Sequence, residues 1–349
     1  MWRIACVLAG LGGLALSSPA VAGFEGDSPY PLKTKEVKWS ASLRGFGGFD
    51  TNVSLTPKDS FYDASFPPNT DNKDLEGASF LGAQIGGVYT LLNDGMTRVA
   101  VGGTASQTFF LGGRRDLAGD TIRDYNLTVL SPQLTATRKI TVLGRPGEIG
   151  ASYTYRREGG PIEAVGLDAH TIAANGAIAF TPAIRGGVDV SYTSNDFEVE
   201  FPDPELDDRD GDSVALGAFV EHALPHNGRI VLSYRYVDND ANGMNFDYTS
   251  HNSSIRVEAP ISQKLWVAVE AGKDWRDYDG FQSTFVPAPG RTRQGVFNLG
   301  AQAIWILTPK TNVDFFVQHS ILDSNTEQFE ANKTTVGMGI TRKFGGGVK

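Results

Sequence analysis

A histidine and a serine one residue apart offer the clearest catalytic chemistry in the sequence. His251 and Ser253 would lie on one face of an extended strand, because strand side chains alternate between two faces. An imidazole beside a hydroxyl can act as the base that turns serine into a nucleophile. Such a pair also needs a third polar group to orient the imidazole, and no sequence neighbour supplies one. We therefore predict no catalytic residues and no enzyme.

Two acidic stretches suggest cation binding. Asp238-Asn-Asp-Ala-Asn-Gly243 matches the first half of an EF-hand loop, but Thr249 stands where the bidentate Glu is expected. Asp208-Arg-Asp-Gly-Asp212 belongs to an acidic segment over 196–213. A solvated acidic loop explains these carboxylates better than a metal site. The remaining histidines are scattered without metal-ligand spacing, so the sequence predicts no metal and no cofactor.

Alternating apolar and polar residues recur from Val37 to Phe344, which predicts strands that are apolar on one face. Fourteen such stretches occur. Tight turns rich in Pro, Gly and Asn follow the even-numbered stretches, as at Asn93-Asp-Gly95, and long polar segments such as 51–77 follow the odd-numbered ones. A soluble β-sandwich has no reason to separate long and short connections in this way. The pattern predicts an all-β protein, a single antiparallel up-and-down transmembrane β-barrel of about fourteen strands over 37–344.

The fourth strand shows an irregular phase. Leu127 and Val129 are in phase with each other, but Leu134 and Ala136 follow in the opposite phase. Ser131-Pro132 lies between the two pairs, so we predict a β-bulge there that keeps all four apolar side chains on the outer face.

The polar face of these strands carries the candidate functional residues. Charge on the lipid face costs ~2–4 kcal/mol for Arg or Lys at the bilayer midplane, so charged side chains are expected inside the barrel. Opposite charges facing each other across the lumen would set up a transverse field that orients polar solutes. The alternative is a filled interior in which the same residues pair as salt bridges. The predicted pore-lining residues are Arg44, Arg98, Arg156, Arg185, Asp189, Glu221, Arg235, Arg256, Glu258, Glu270, Asp274, Arg276, Asp314 and Gln318.

Aromatic residues at both ends of the apolar faces predict two girdles at the membrane interfaces. The girdle at the tight-turn end comprises Trp39, Tyr89, Phe180, Trp305, Phe315 and Phe344, and the girdle at the long-loop end comprises Phe49, Phe109, Tyr155 and Tyr192.

The first residues predict export. Met1-Trp-Arg3, the apolar run from Ile4 to Leu16 and the small residues Ala20-Val-Ala22 form a secretory signal peptide over 1–22. The only cysteine, Cys6, lies within it, so the mature chain has no thiol for disulfides. Residues 23–36 are expected to be a short periplasmic lead-in, and residues 345–349 a C-terminal tail.

The composition excludes nucleic acid as a partner and fits a β-rich chain. The net charge is −9, and no basic stripe is present. The 41 glycines exceed the ~7% that is typical of proteins.

Three short motifs carry a family resemblance. Phe46-Gly-Gly-Phe-Asp-Thr-Asn52 resembles the G-[FY]-D-[ST]-N signature that opens many barrel porins of Gram-negative bacteria. Trp275-Arg-Asp-Tyr-Asp-Gly280 resembles a strand-top motif of the same proteins. Asp323-Ser-Asn325, followed by a last strand ending in Phe344, resembles the close of those barrels and of the fourteen-stranded barrel of surface lipoprotein assembly modifiers. The helical-repeat domain of the assembly modifiers has no counterpart in residues 23–36.

The resemblance implies a barrel in the cell outer membrane. We predict a porin-like channel for the passive passage of small polar solutes. The alternatives are a translocation or assembly barrel for surface lipoproteins or another envelope client and, less favoured, a surface lipid hydrolase, because barrel lipid hydrolases resemble the His-x-Ser pair. The expected partners are outer-membrane lipid and lipopolysaccharide, the outer-membrane barrel assembly machinery and small polar solutes.

Overall fold

A computed structural model describes residues 37–52, 77–112, 126–160, 166–198, 208–279, 293–325 and 330–348 of the 349-residue chain. The predicted signal peptide and lead-in over 1–36 lie outside the described residues, as does most of the 51–77 connection. None of the described residues forms a helix that is long and apolar enough to cross a membrane.

Fourteen strands make up almost all of the described chain. They are β1 (Val37–Asp50), β2 (Ala78–Asn93), β3 (Thr97–Leu111), β4 (Leu127–Val142), β5 (Arg145–Gly159), β6 (Leu167–Ala179), β7 (Ile184–Phe197), β8 (Gly211–Ala223), β9 (Arg229–Ala241), β10 (Tyr248–Ser262), β11 (Leu265–Tyr278), β12 (Arg293–Thr308), β13 (Thr311–Ser324) and β14 (Ala331–Val348). A single 3₁₀ turn, Pro225–Asn227, joins β8 to β9.

The strands close into one barrel in which each strand pairs antiparallel with its neighbours in sequence, and β1 pairs with β14. This arrangement confirms the predicted fold class and strand number. Closure leaves no sheet edge, so every strand has backbone hydrogen-bonding partners on both sides.

The two faces of the barrel wall differ as the period of two requires. Large apolar side chains such as Leu43, Ile85 and Val188 are exposed on the outer face. The exposed aromatic residues include Trp39, Trp305, Phe49 and Phe109 of the two predicted girdles. The buried apolar residues, among them Phe46, Trp266 and Val296, share the opposite face with the predicted pore-lining residues. The outer face is therefore predominantly apolar.

Short turns join each even strand to the next odd one. In the predicted turn at Asn93-Asp-Gly95, the Asp94 carboxylate accepts hydrogen bonds from the backbone N–H groups of Met96 (2.9 Å) and Thr97 (2.5 Å). These hydrogen bonds hold the pKa of Asp94 below its usual value, and the bond from Thr97 has the larger effect. Register shifts occur beside three such turns, at Thr90/Leu92, Pro260/Ser262 and Ile306/Thr308.

The predicted bulge at Ser131-Pro132 is wrong. Pairing of β4 with β3 runs through Ser131 and Pro132 without a shift, and pairing with β5 resumes beyond them in the same register. Pro132 has no N–H to donate, so the ladder is interrupted there without an inserted residue. Leu127 and Val129 consequently face inward, and Leu134 faces outward.

The predicted C-terminal tail is also wrong in its extent. β14 continues beyond Phe344 to Val348, and Val348 pairs with Val37 at the start of β1. The glycines at 345–347 fit the ladder because strand pairing requires only their backbone groups.

The Asp50-Thr-Asn52 motif at the end of β1 stabilises the seam, which is the pairing of the first strand with the last. The buried Asp50 carboxylate forms an ion pair with Lys333 (2.9 Å) and accepts hydrogen bonds from Thr335 Oγ1 (3.3 Å) and the Asn52 backbone N–H (3.0 Å). The Asn52 side chain donates to the Asn332 carbonyl (3.1 Å). The Asp-Thr-Asn segment therefore has a structural explanation as a clamp on barrel closure.

We expect Asp50→Ala to destabilise the barrel by about 2 kcal/mol, because it leaves the part-buried Lys333 ammonium and the Asn52 N–H without this acceptor. Urea unfolding of the refolded barrel, followed by tryptophan fluorescence, measures this change. The double variant Asp50→Asn with Lys333→Met is the control, because it removes both charges and keeps an acceptor oxygen. Equal midpoints for Asp50→Ala and the unmodified barrel would contradict the clamp.

Candidate pore and its charged inner wall

All fourteen predicted pore-lining residues share one face of the barrel wall. The register places Arg44 level with Thr341, Arg256 opposite Glu270 and Asp314 opposite Ile304, and the same parity continues around the ring. This face is opposite the exposed apolar side chains and is the inner face. That these residues line an open pore remains a prediction.

Two ion pairs reach across an intervening strand on this face. Arg44 of β1 binds Asp314 of β13 at 2.6 Å, and the strand between them contributes Gly339. Arg235 of β9 binds Asp189 of β7 at 2.8 Å, with Gly217 of β8 in between. A Cβ at Gly339 would lie 2.8 Å from Arg44 Nε and 2.9 Å from Asp314 Oδ1. Each pair therefore depends on a glycine beneath it.

A ladder of alternating charges runs over β8 to β11. Arg229 lies between Glu221 (3.5 Å) and Glu258 (2.9 Å), and Arg256 lies between Glu258 (2.5 Å) and Glu270 (3.1 Å). Glu258 is only 2% exposed and accepts from both arginines. Two cations shared among three carboxylates leave one negative charge in this set, and Arg185 lies opposite Glu221 in the register.

Arg229 was missed because the sequence prediction began the ninth strand at Ile230. It has the same parity as Arg235, so starting the strand one residue earlier would have placed it on the inner face. Glu158 was missed for a similar reason, since it lies at a strand top that the apolar pattern does not mark, whereas Lys333 lies within the predicted last strand on its polar face but was not named as pore-lining. Glu158 is 2% exposed and pairs with Arg156.

Near the tops of β10 and β11, a charge pair lies among tyrosines. Arg276 donates to Asp274 at 2.7 Å and lies 5.5 Å from the Tyr248 ring centroid. The Tyr248 and Tyr278 rings are 5.2 Å apart, and the Tyr278 hydroxyl donates to Gln294 (3.2 Å). This packing fixes the Arg276 guanidinium against the wall.

Three predicted residues lack such partners. Among the described residues, Arg98, Arg185 and Gln318 form no ion pair. Arg98 and Arg185 are each the second residue of an odd strand, at the tight-turn end of the barrel. Arg98 is therefore an uncompensated positive charge at one mouth of the candidate pore, whereas Arg185 lies opposite Glu221 in the register.

The charges are paired along the wall and not across the lumen. Every ion pair described above joins residues of one strand, of neighbouring strands or of strands two apart. The expected transverse field is therefore replaced by short local dipoles. It follows that net electrostatic influence on a solute comes mainly from uncompensated residues such as Arg98.

Four phenylalanines form an apolar patch on the same inner wall, which the sequence analysis did not predict. Phe46, Phe80 and Phe316 are buried, and Phe110 packs against them. The Phe46 and Phe80 rings are 6.3 Å apart, and the Arg44 guanidinium lies 5.3 Å from the Phe46 ring centroid. Phe46 has the same parity as Arg44, and this was the available sequence evidence for an inward ring.

His251 and Ser253 face outward and so lie outside the candidate pore. Tyr234, on the neighbouring strand, places its hydroxyl 2.6 Å from His251 Nδ1 and thus supplies a polar partner that the sequence did not reveal. The same Tyr–His contact recurs at Tyr153 and His170 (2.8 Å), where Ile172 occupies the place of the serine. The contact therefore forms without any nucleophile beside it.

The acidic segments fold onto one another at the long-loop end. The Asp208 carboxylate accepts from the Asp210 N–H (2.9 Å) and from Asn242 Nδ2 (3.0 Å). Asp238 and Asp240 of the EF-hand-like stretch belong to β9 and do not surround a common point. No metal-binding group of three or more His, Cys, Asp or Glu occurs among the described residues. Residues 199–207 of the acidic segment lie outside them.

Arg209 anchors these segments. Its guanidinium lies 4.5 Å from the Phe197 ring centroid and 5.8 Å from that of Phe246, and the residue is 5% exposed. Burial lowers the pKa of Arg209 to about 10. Burial also raises the pKa of Asp210, whose carboxylate accepts from the Phe197 N–H.

Solved outer-membrane proteins are similar to this chain at low sequence identity. The chain is 13% identical to the Acinetobacter baumannii outer membrane protein Omp33, covering 89% of this chain and 99% of that one with a TM-score of 0.37. It is 11% identical to Pseudomonas aeruginosa OpdQ, covering 89% and 100% (TM-score 0.41). It is also 11% identical to Salmonella typhi OmpF, in a complex with daunomycin, covering 88% and 98% (TM-score 0.49). No protein-family model and no curated protein matches the chain.

We expect Gly339→Ala to destabilise the barrel by roughly 2 kcal/mol, because the added methyl group separates Arg44 from Asp314 and leaves both part-buried charges poorly paired. Urea unfolding measures the change. Gly300→Ala is the matched control, since Gly300 lies on the same face with nothing within 4 Å of an added Cβ. Equal destabilisation of the two variants would contradict a specific role for Gly339.

Proposed function

We propose that this chain is an outer-membrane barrel that allows small polar solutes to pass passively through its lumen. The observation that carries the proposal is the pairing of inner charges along the wall, which holds long side chains against the strands. Salt-bridge pairing was also expected of a filled interior, but every pair described above joins strands no more than two apart, so none of these pairs spans the lumen.

The size of the ring supports this reading. Fourteen strands about 4.8 Å apart and tilted by about 40° make a ring roughly 28 Å across between opposite backbones. This lies between eight-stranded barrels, which side chains fill, and the sixteen- to eighteen-stranded aqueous channels. Arginines that lie along the wall, as Arg44 and Arg235 do, keep clear of the centre of such a ring.

The chemistry of the wall favours polar solutes. Paired guanidinium and carboxylate groups offer hydrogen-bond donors and acceptors with little net charge, so they suit hydrated solutes of either sign. The uncompensated Arg98 at the tight-turn mouth adds a preference for anions, to which Arg185, opposite Glu221, also contributes positive charge. In the outer membrane this mouth faces the periplasm, because short turns lie on that side.

Single-channel conductance of the refolded chain in planar bilayers tests the proposal. We expect steady conductance, and we expect the double variant Arg98→Gln with Arg185→Gln to lower the chloride-over-potassium permeability ratio by roughly twofold to threefold. Arg138→Gln is the control, because Arg138 lies at the same end of the barrel but on its outer face, opposite Thr97 and Ile149 in the strand register. Absence of conductance from a barrel whose folding is shown by circular dichroism would overturn the channel.

The two alternatives predict different measurements. A translocation or assembly barrel would co-purify with an envelope client and would not need to conduct. A surface lipid hydrolase would cleave lipid esters and lose that activity in Ser253→Ala but not in Ser254→Ala, whose side chain faces inward and contacts Ser233.

A further inference from the structure

The outer face of the barrel carries two nearly identical aromatic clusters. Each consists of a Tyr-x-Tyr on an odd strand and a histidine on the next strand. In the first cluster, Tyr153 contacts His170 Nδ1 and the Tyr155 ring lies 5.0 Å from the imidazole. In the second, Tyr234 contacts His251 Nδ1 and the Tyr236 ring lies 5.3 Å away. Because the two clusters share this geometry, the charges beside them can be compared directly.

In the first cluster, the positive charge is balanced by carboxylates of the same chain. Arg157, on the same outer face, lies 3.1 Å from Glu198 and 3.9 Å from Asp168. The Tyr155 hydroxyl donates to Asp168 as well (2.5 Å). The positive charge beside these aromatic rings is thus already compensated by two carboxylates of the same chain.

The second cluster carries a cation without such compensation. Lys273 of β11 lies directly opposite Ser253 and faces outward, with its Nζ 5.4 Å from the Trp275 ring centroid. Among the described residues Lys273 forms no ion pair. The outward Asp323 lies beyond Gly295, and no ion pair within 4 Å joins it to Lys273. Ile172 of the first cluster is replaced here by the polar Ser253.

The height of Lys273 on the barrel matches a lipid headgroup. Lys273 is eight residues above Leu265, which pairs with the girdle residue Trp305. Eight residues of a tilted strand rise about 20 Å, and the apolar band of such barrels is about 25 Å tall. The ammonium group therefore lies near the upper edge of the band. Phe297, beside Lys273 on β12, and Ile255, below it, are exposed apolar surface for acyl chains.

We propose that Lys273, His251, Ser253, Tyr234 and Trp275 form a site for the phosphate-bearing headgroup of an outer-leaflet lipid. The inference rests on the proposed insertion of the barrel in the outer membrane. Lys273 supplies the positive charge that balances the negative phosphate, and the serine and tyrosine hydroxyls supply hydrogen-bond donors. The Trp275 and Tyr234 rings lie where amphipathic aromatic residues contact the headgroup region.

The occupant is a lipid and not a free anion because of the surroundings. The site lies on the apolar outer face, where a dissolved phosphate ion would have to leave water, whereas a lipid phosphate is already held at that depth. Arg157 in the first cluster already lies beside the carboxylates of Glu198 and Asp168, so that cluster has no unbalanced positive charge to attract an anionic ligand.

Native mass spectrometry of the full chain in detergent, titrated with lipid A, tests the site. We expect one retained copy of bisphosphorylated lipid A and about fivefold weaker binding in Lys273→Gln, as expected for the loss of one cation near an anionic membrane surface. Arg157→Gln is the matched control and should bind as the unmodified chain does. Dephosphorylated lipid A should bind at the level of Lys273→Gln, and inorganic phosphate should not compete.

Equal binding by Lys273→Gln and Arg157→Gln would overturn the proposal, as would equal binding of the dephosphorylated lipid. Competition by inorganic phosphate would show an aqueous anion site instead. Circular dichroism and the urea midpoint establish that both variants are folded. Conductance of Lys273→Gln should be unchanged, so that failure of the lipid site and failure of the channel give separate results.

Discussion

The structure depends on a closed ring of backbone hydrogen bonds. In the hydrocarbon region of a membrane an unpaired N–H or C=O group costs several kcal/mol, so the sheet must join its first strand to its last. β1 and β14 pair along nearly their whole length, from Val37 with Val348 to Asp50 with Thr335. The Asp50 clamp lies at the upper end of this seam. Closure then fixes the parity of every strand, and parity decides which side chains meet lipid.

Parity explains both what the sequence revealed and what it hid. The exposed apolar positions repeat strictly, so fourteen strands and fourteen inward polar residues could be assigned from alternation alone. Alternation failed at β4, where Leu127 and Val129 are inward apolar residues near a strand top and imitate an outer face. The inward Phe46 and Phe80 were also not predicted, although Phe46 has the parity of Arg44, because the rule that lipid-facing residues are apolar says little about the opposite face.

The pairing of charges could not be predicted from the sequence, for a different reason. Which arginine meets which carboxylate depends on the register between strands, and Arg44 and Asp314 are 270 residues apart. The likeness of the two outer clusters was hidden in the same way, since the Tyr–His contacts run diagonally between neighbouring strands. Only the register shows that one cluster has a compensated arginine and the other an uncompensated lysine.

Part of the high glycine content is explained by the same inner wall. Long side chains can lie flat against a strand only where the neighbouring residue has no side chain, and the wall repeats this arrangement with different chemistry. Arg44 and Asp314 meet over Gly339, and an added Cβ at Gly48 would lie 2.8 Å from the Phe80 ring. Were these glycines replaced, the arginines and rings would have to point toward the axis and narrow the lumen. The glycines are thus a means of holding bulky side chains at the wall, which is what a fourteen-stranded ring needs if its centre is to stay open to solutes.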